Sequence, residues 1–296
     1  MDREFFDWSP ITRRAPWHLP NDARVALWVV PNIEHYEYMP GPVRIRNPWP
    51  RMPHPDVLGY SLRDYGNRVG VWRMLDVMDR YSIRCTVSLN LAVYDMYPDI
   101  MEACEKRGYD TLCHGIYNTS YLWDMADEEQ RAYLADCHAR FTGLTGRKMR
   151  GWFSPGVSYT PSTLDLVAEA GFDWCADLYH DDQPTRLNAG AGSMISVPYS
   201  MDLNDAVFYR YDMEGEEFYR IVTDHFDTVW REGATIPRVM CIALHPYMMG
   251  QPHRIKYLDK ALDYILSHSG VWQTTGSELA DCWLAQFPTP AARQGA

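Results

Sequence analysis

The sequence has little that would take it to a membrane or to a nucleic acid. No stretch approaches the roughly 18 consecutive apolar residues that a bilayer-spanning helix needs. No run of Lys and Arg forms a basic patch, and 28 basic against 39 acidic residues leave a formal net charge of −11. Such a surface repels phosphate backbones and anionic lipid headgroups, so the expected partner is a small molecule, with no nucleic acid and no membrane. The amino-terminal stretch MDREFFDWSPITRRAPW lacks a basic segment followed by an apolar one, which sets the expectation of a cytoplasmic protein. The 7 cysteines form no CxxC pair, and most sit inside apolar runs. They read as buried thiols of a reducing compartment, and none has a base set beside it that would make it a nucleophile. The fingerprints GxGxxG, GxxxxGKS/T, HExxH and GxSxG are also absent. This removes the usual signals of nucleotide binding, zinc proteolysis and serine hydrolysis. Water is then the expected nucleophile.

What is present is an alternation of two periods. Residues 1–23 are rich in Trp and Pro and read as an irregular arm, and residues 24–296 as a single catalytic domain with no linker. Ala23–Val30 is a β-rich apolar run closed by Pro31 and Asn32, and a proline-rich loop follows from Met39 to Pro55. From there, helix faces such as Val71, Met74, Leu75 and Met78 alternate with strands. The strands are Cys85–Leu89, Tyr109–Cys113, Met149–Phe153, Phe172–Ala176, Met194–Val197, Val239–Leu244 and Val271–Thr275. Asp127 with Gln130 reads as a capping box, and Ser277 as the cap of a final helix. Alternating strands and helices imply a parallel sheet. Without a phosphate-binding loop after the first strand, a barrel is favoured over a doubly wound sheet.

In such barrels the chemistry sits where strands end. Asn32, Glu34, His35 and Glu37 follow the first strand, and His114 to Asn118 follow the Tyr109–Cys113 strand. Trp152 lies at the end of the next, Asp177, His180, Asp181 and Asp182 follow another, and His245 follows Val239–Leu244. A carboxylate and two histidines in one cavity supply a base, an acid and an orienting group. Glu34 is the candidate base, with His114 and His245 as its partners. Asn118, Trp152, Asp181, Asp182 and Arg68 are candidate substrate contacts, with Trp152 as a pocket wall and Arg68 facing an acidic group. His and carboxylate are also Zn²⁺ ligands, so a single divalent metal on His35 and His114 stays open at this point.

At these residues the chain resembles the polysaccharide deacetylase family, and within it the allantoinase-like branch. The likeness is carried by Asn32-Ile-Glu-His35, Tyr65 to Arg73, His114-Gly, Gly151-Trp-Phe153, Asp181-Asp-Gln-Pro184, Val197-Pro-Tyr and Leu244-His-Pro through Arg254. The resemblance implies a deformed (β/α) barrel of about seven parallel strands and hydrolysis of an amide-type C–N bond. The sugar deacetylases of this family begin their pattern with two aspartates and follow with two histidines four apart. Here Glu34 and His35 hold the first places, and Asn118 replaces the second histidine. The allantoinase-like branch also lacks that metal triad, so the resemblance implies no cofactor, although a zinc ion is not excluded. It further implies a small cyclic amide as substrate (allantoin, a cyclic imide or a hydantoin-like ring) and a homo-oligomer, dimer or tetramer.

Overall fold

The computed structural model describes residues 5–39, 55–189 and 194–288. The interior of the Met39–Pro55 loop, which by its prolines and its place after the first strand reads as a fixed cover over the mouth of the barrel, falls at residues 40–54 and lies outside them.

Among the described residues the strands are β1 (Val25–Ile33), β2 (Thr86–Leu89), β3 (Asp110–Cys113), β4 (Gly151–Trp152), β5 (Trp174–Cys175), β6 (Thr185–Arg186), β7 (Ile195–Ser196), β8 (Arg238–Leu244) and β9 (Val271–Gln273). Between and after them run α1 (Val57–Tyr65), α2 (Val71–Arg80), α3 (Val93–Met96), α4 (Pro98–Lys106), α5 (Asp127–Thr145), α6 (Thr163–Glu169), α7 (Val207–Arg210), α8 (Gly215–Glu232), α9 (Ile255–Leu266) and α10 (Gly276–Gln286). The strands form one sheet in the order β6-β7-β5-β4-β3-β2-β1-β8, with β9 also paired to β1. All pairings are parallel except β6 with β7. The sheet curls until Val239 at the start of β8 donates its N–H to the Asp182 carbonyl at 2.8 Å, just before β6. The expected parallel α/β architecture is thus a curled, barrel-like sheet clothed in helices.

Several boundaries differ from the sequence pattern. β1 runs through Pro31 to Ile33, because Pro31 still pairs in register with Leu244. The runs around Gly151, Trp174 and Ile195 shrink to two paired residues each. The last helix is capped by Thr275, whose hydroxyl accepts the Glu278 N–H at 3.2 Å, so the cap lies two residues before Ser277. At α5 the Glu129 carboxylate accepts the Ala126 N–H at 2.8 Å, which moves that cap one residue earlier than Asp127.

Successive side chains of a strand point to opposite faces, and here that rule sorts the core. Ala26, Trp28 and Val30 of β1 pack inside the curl with Leu112, Trp174, Ala176, Val239, Cys241 and Ala243. Val25, Leu27 and Val29 pack outside, under the helices, with Cys113, Trp152, Cys175, Met240, Ile242 and Leu244. Every residue of β1 is buried, as expected of a central parallel strand covered on both faces. Following the inner parity past the strand ends leads to Asn32, Glu34, His114, Phe153 and His245.

Candidate active site

Those residues line one cavity of about 80 Å³ at the ends of β1, β3, β4 and β8, together with Tyr36, Asn118, Tyr121, Tyr179, Tyr199, Met201, Asn204 and Tyr247. Glu34, His114 and His245 are 5%, 3% and 8% exposed. Glu34 Oε1 stands 3.6 Å from His114 Nε2 and 3.6 Å from His245 Nε2. One carboxylate oxygen is therefore flanked by two imidazoles. The other oxygen, Oε2, faces the Tyr247 hydroxyl, which donates to it at 3.4 Å.

Each imidazole is oriented from behind. His114 Nδ1 lies 2.8 Å from the Phe153 carbonyl, so that nitrogen carries the hydrogen and Nε2 is left facing Glu34. The Phe153 ring stacks on the imidazole at 4.7 Å. His245 Nδ1 lies 2.7 Å from Asp205 Oδ1, while Asp205 Oδ2 accepts the backbone N–H groups of His245 at 2.7 Å and Met249 at 3.2 Å. Burial alone would strip the proton from His245, but Asp205 and then Glu34 outweigh it and push the imidazolium up to about 10. Burial would likewise push Glu34 up. The His245 charge, with the His114 imidazole on the other side, instead holds it well below the usual carboxylate range. At neutral pH the pair is a carboxylate beside an imidazolium.

The structure scatters the other sequence candidates. Asn118 lines the cavity, its amide donating to the Tyr36 hydroxyl. Trp152 does not: it is on the outer parity of β4, fully buried, with its ring 5.3 Å from Phe172. Phe153, one residue on, is the wall instead. Asp181 and Asp182 line a larger neighbouring cavity of about 1010 Å³. There Asp181 is bound by Arg14 at 2.6 Å and Asp182 faces Arg238 at 3.6 Å. Arg68 is exposed, pairs with Asp64 one helical turn away and does not line the cavity. His35 points to the outer side, with its ring 5.8 Å from both Tyr97 and Tyr117. Alternation along the chain separates it from Glu34. Asp177, buried under the same wall, accepts from Tyr159 at 2.7 Å and from the Ser154 N–H at 2.8 Å. Burial pushes its carboxyl up to about 7.

Residues missed in the sequence are Asp205, Tyr36, Tyr247 and Arg63. Asp205 sits on the loop after β7, held by its N–H to the Ala243 carbonyl at 3.0 Å. The Arg63 guanidinium lies 4.2 Å from the Tyr36 ring and 4.7 Å from that of Tyr247.

Known proteins share this fold. Residues 60–175 match the polysaccharide deacetylase family model. That match runs from α1 through β5. A Schizosaccharomyces pombe protein assigned by name to the polysaccharide deacetylases is 26% identical over 93% of this chain and 94% of its own length. Among solved structures, the Puue allantoinase superposes with a TM-score of 0.86 at 27% identity, covering 94% of this chain and 96% of its own. A Pseudomonas aeruginosa PAO1 protein described as a probable polysaccharide deacetylase gives 0.84 at 29% identity over the same shares, 94% and 96%. The likeness carried by the motifs is therefore shown, and the chain is an enzyme of the carbon–nitrogen hydrolase kind. No helix among the described residues is long and apolar enough to cross a membrane.

The deacetylases of this family use a divalent metal, and the residues here fit one poorly. Among the described residues no group of three His, Cys, Asp or Glu side chains is placed to hold an ion. His35 is turned out of the cavity. An imidazolium held by Asp205 has no lone pair to give, and the Asn118 amide is a weak ligand. No step below is routed through a metal.

Proposed function

We propose that this protein hydrolyses a non-peptide C–N bond in a small cyclic amide, the class that includes allantoin, cyclic imides and hydantoin-like rings. The observation that carries the reading is the enclosed polar trio: one carboxylate oxygen between two imidazoles, in a cavity of about 80 Å³ walled by Phe153, Tyr121, Tyr179 and Tyr199. At roughly 30 Å³ per water molecule this is the space of about three waters, enough for the reacting end of a small flat ring.

The roles follow from proton affinity. A carboxylate held well below its usual range is a weak base, and catalytic bases work best near the ambient pH. Glu34 is therefore better suited to orienting the attacking water as a hydrogen-bond acceptor than to removing its proton. That proton goes to His114 Nε2, the nitrogen left free when Nδ1 is held by Phe153. The water oxygen bonds to the amide carbon, and the charge that develops on the carbonyl oxygen meets the His245 imidazolium. As the C–N bond breaks, the proton on His114 passes to the departing nitrogen, leaving a carboxylic acid and an opened ring.

The deacetylase relatives favour a second reading. The same attack on an acyclic amide would release acetate from an N-acetylated sugar. Turnover of allantoin, succinimide, hydantoin and a chitin tetramer by the purified enzyme separates the two. A kcat/KM at least about 100-fold higher for one of the rings supports the first reading. Comparable values, or acetate release from the tetramer alone, would sink it. Assembly as a dimer or tetramer belongs to the same proposal and is checked by sedimentation.

A further inference from the structure

The segment 57–70, formed by α1 and the π-helical turn Gly66–Gly70, contributes none of the trio yet touches its supports at three points. Asn67 donates its side-chain amide to the Glu34 carbonyl at 2.8 Å. Gly66 lies so close to the turn after β8 that a Cβ there would stand 2.6 Å from the Tyr247 nitrogen, and a Cβ on Gly70 would collide with the Pro246 carbonyl. Wide helical turns of this kind often occur beside functional sites, because they let the backbone bulge toward a neighbour.

The third contact is Arg63. Its guanidinium stacks on both the Tyr36 and Tyr247 rings. Those rings end in hydroxyls with defined duties: one accepts the Asn118 amide, the other donates to Glu34 Oε2. Burial opposes the charge on Arg63, but Tyr36, Tyr247 and Glu34 outweigh it. A planar, delocalised cation can lie against two aromatic faces at once, which a compact, strongly hydrated ammonium does poorly.

We propose that Arg63 is a positioning residue of this active site: stacked between Tyr36 and Tyr247, it fixes the two hydroxyls that hold Asn118 and Glu34 in their working directions. The inference rests on the reading of the Glu34 cavity as the catalytic site. If the arginine merely fastens helix to barrel, replacing it lowers the melting temperature and leaves the Asn118 side chain where it was.

The test has an arm that needs no turnover. Asn-selective ¹⁵N labelling displays the Asn118 side-chain amide, assigned by its disappearance in Asn118→Asp. Arg63→Lys is expected to shift that signal at least half as far as Tyr36→Phe does. With a turned-over substrate, Arg63→Lys is expected to lower kcat about 10- to 100-fold with KM changed less than about threefold, as sub-ångström misplacement does. Combined with Tyr247→Phe, its loss should fail to multiply. An unmoved Asn118 signal, or losses that multiply through the cycle, would overturn the proposal. If Arg63→Lys does not fold, the Tyr36→Phe and Tyr247→Phe cycle decides, since both rings surround the same cation: coupling supports the clamp and additivity sinks it. Turnover with an unmoved signal defeats this inference alone. A shifted signal with no amide hydrolysed defeats the functional reading alone.

Discussion

The two neighbouring cavities share the side chains of Tyr179, Tyr199 and Met201 but treat their carboxylates in opposite ways. In the larger one Asp181 and Asp182 face Arg14 and Arg238, with His180 and His225 also in the lining. A guanidinium never gives up its proton near neutrality, so those ion pairs can fasten one segment to another but cannot move a proton. In the smaller one Glu34 faces two imidazoles, which can, and Asp205 supports one of them from behind. The larger cavity is more than ten times as roomy (about 1010 against 80 Å³), yet the carboxylate flanked by two imidazoles at 3.6 Å lines the small one. The identity of the cation opposite a buried carboxylate is the better guide to reactivity.

The contrast breaks first at Glu34. Glu34→Gln, which removes the anion that orients the water, is expected to lower kcat by about 10²–10³ while the far-ultraviolet circular dichroism stays unchanged. A variant keeping more than about a third of wild-type kcat would show that the trio does not act as described. Next comes Asp205→Asn, which removes the anion that keeps His245 charged. We expect kcat/KM to fall about tenfold or more, and the alkaline limb of the pH profile, near pH 10 in the wild type, to move down by at least one unit. The stability consequence has a definite sign. A folded-state value of about 10 against 6.5 unfolded means that the His245 contribution is complete below about pH 6.5 and is lost as pH rises through 10. The wild-type melting temperature should therefore decline between those limits, and more shallowly in Asp205→Asn. An alkaline limb that does not move would remove His245 from the mechanism.

In the large cavity the same kind of change should do much less to turnover. Asp181→Asn breaks the contact with Arg14 and is expected to cost about 1–3 kcal/mol of stability, read by urea denaturation, with kcat within about twofold of wild type. A tenfold loss of kcat would mean that the large cavity takes part in catalysis. Smallest of all is the expected effect of a chelator. Prolonged dialysis against one should leave kcat unchanged, and a loss restored by zinc would overturn the metal-free mechanism.

Much of this was legible in the chain itself. The strand–helix alternation gives the architecture, and Glu34, His114 and His245 stand out because each directly follows an apolar run. What the pattern hid was the side of the sheet each residue faces. With β1 apolar on both faces, no amphipathic alternation distinguishes inside from outside, so Glu34 and His35 look equivalent, as do Trp152 and Phe153. Only β8 carries a sign of it: Val239, Cys241 and Ala243 are smaller than Met240, Ile242 and Leu244, and their parity leads to His245, whereas the inward set of β1 includes Trp28. Asp205 was hidden for another reason: it lies on a loop 40 residues from its partner, with no local period to mark it. Arg63 follows the long proline-rich loop, and only the contact of α1 with the Tyr247 turn reveals what it touches.

The outward turn of His35 bears on how such a site changes over evolutionary time. Because β1 is apolar on both faces, a slip of one residue would still leave an apolar set on each side of the sheet. Deleting a single residue upstream in β1 would rotate Glu34 out and bring His35 in, placing three imidazoles where one carboxylate and two imidazoles now meet. At the adjacent pair Glu34-His35, one step of register thus decides whether an anion or an imidazole faces His114 and His245.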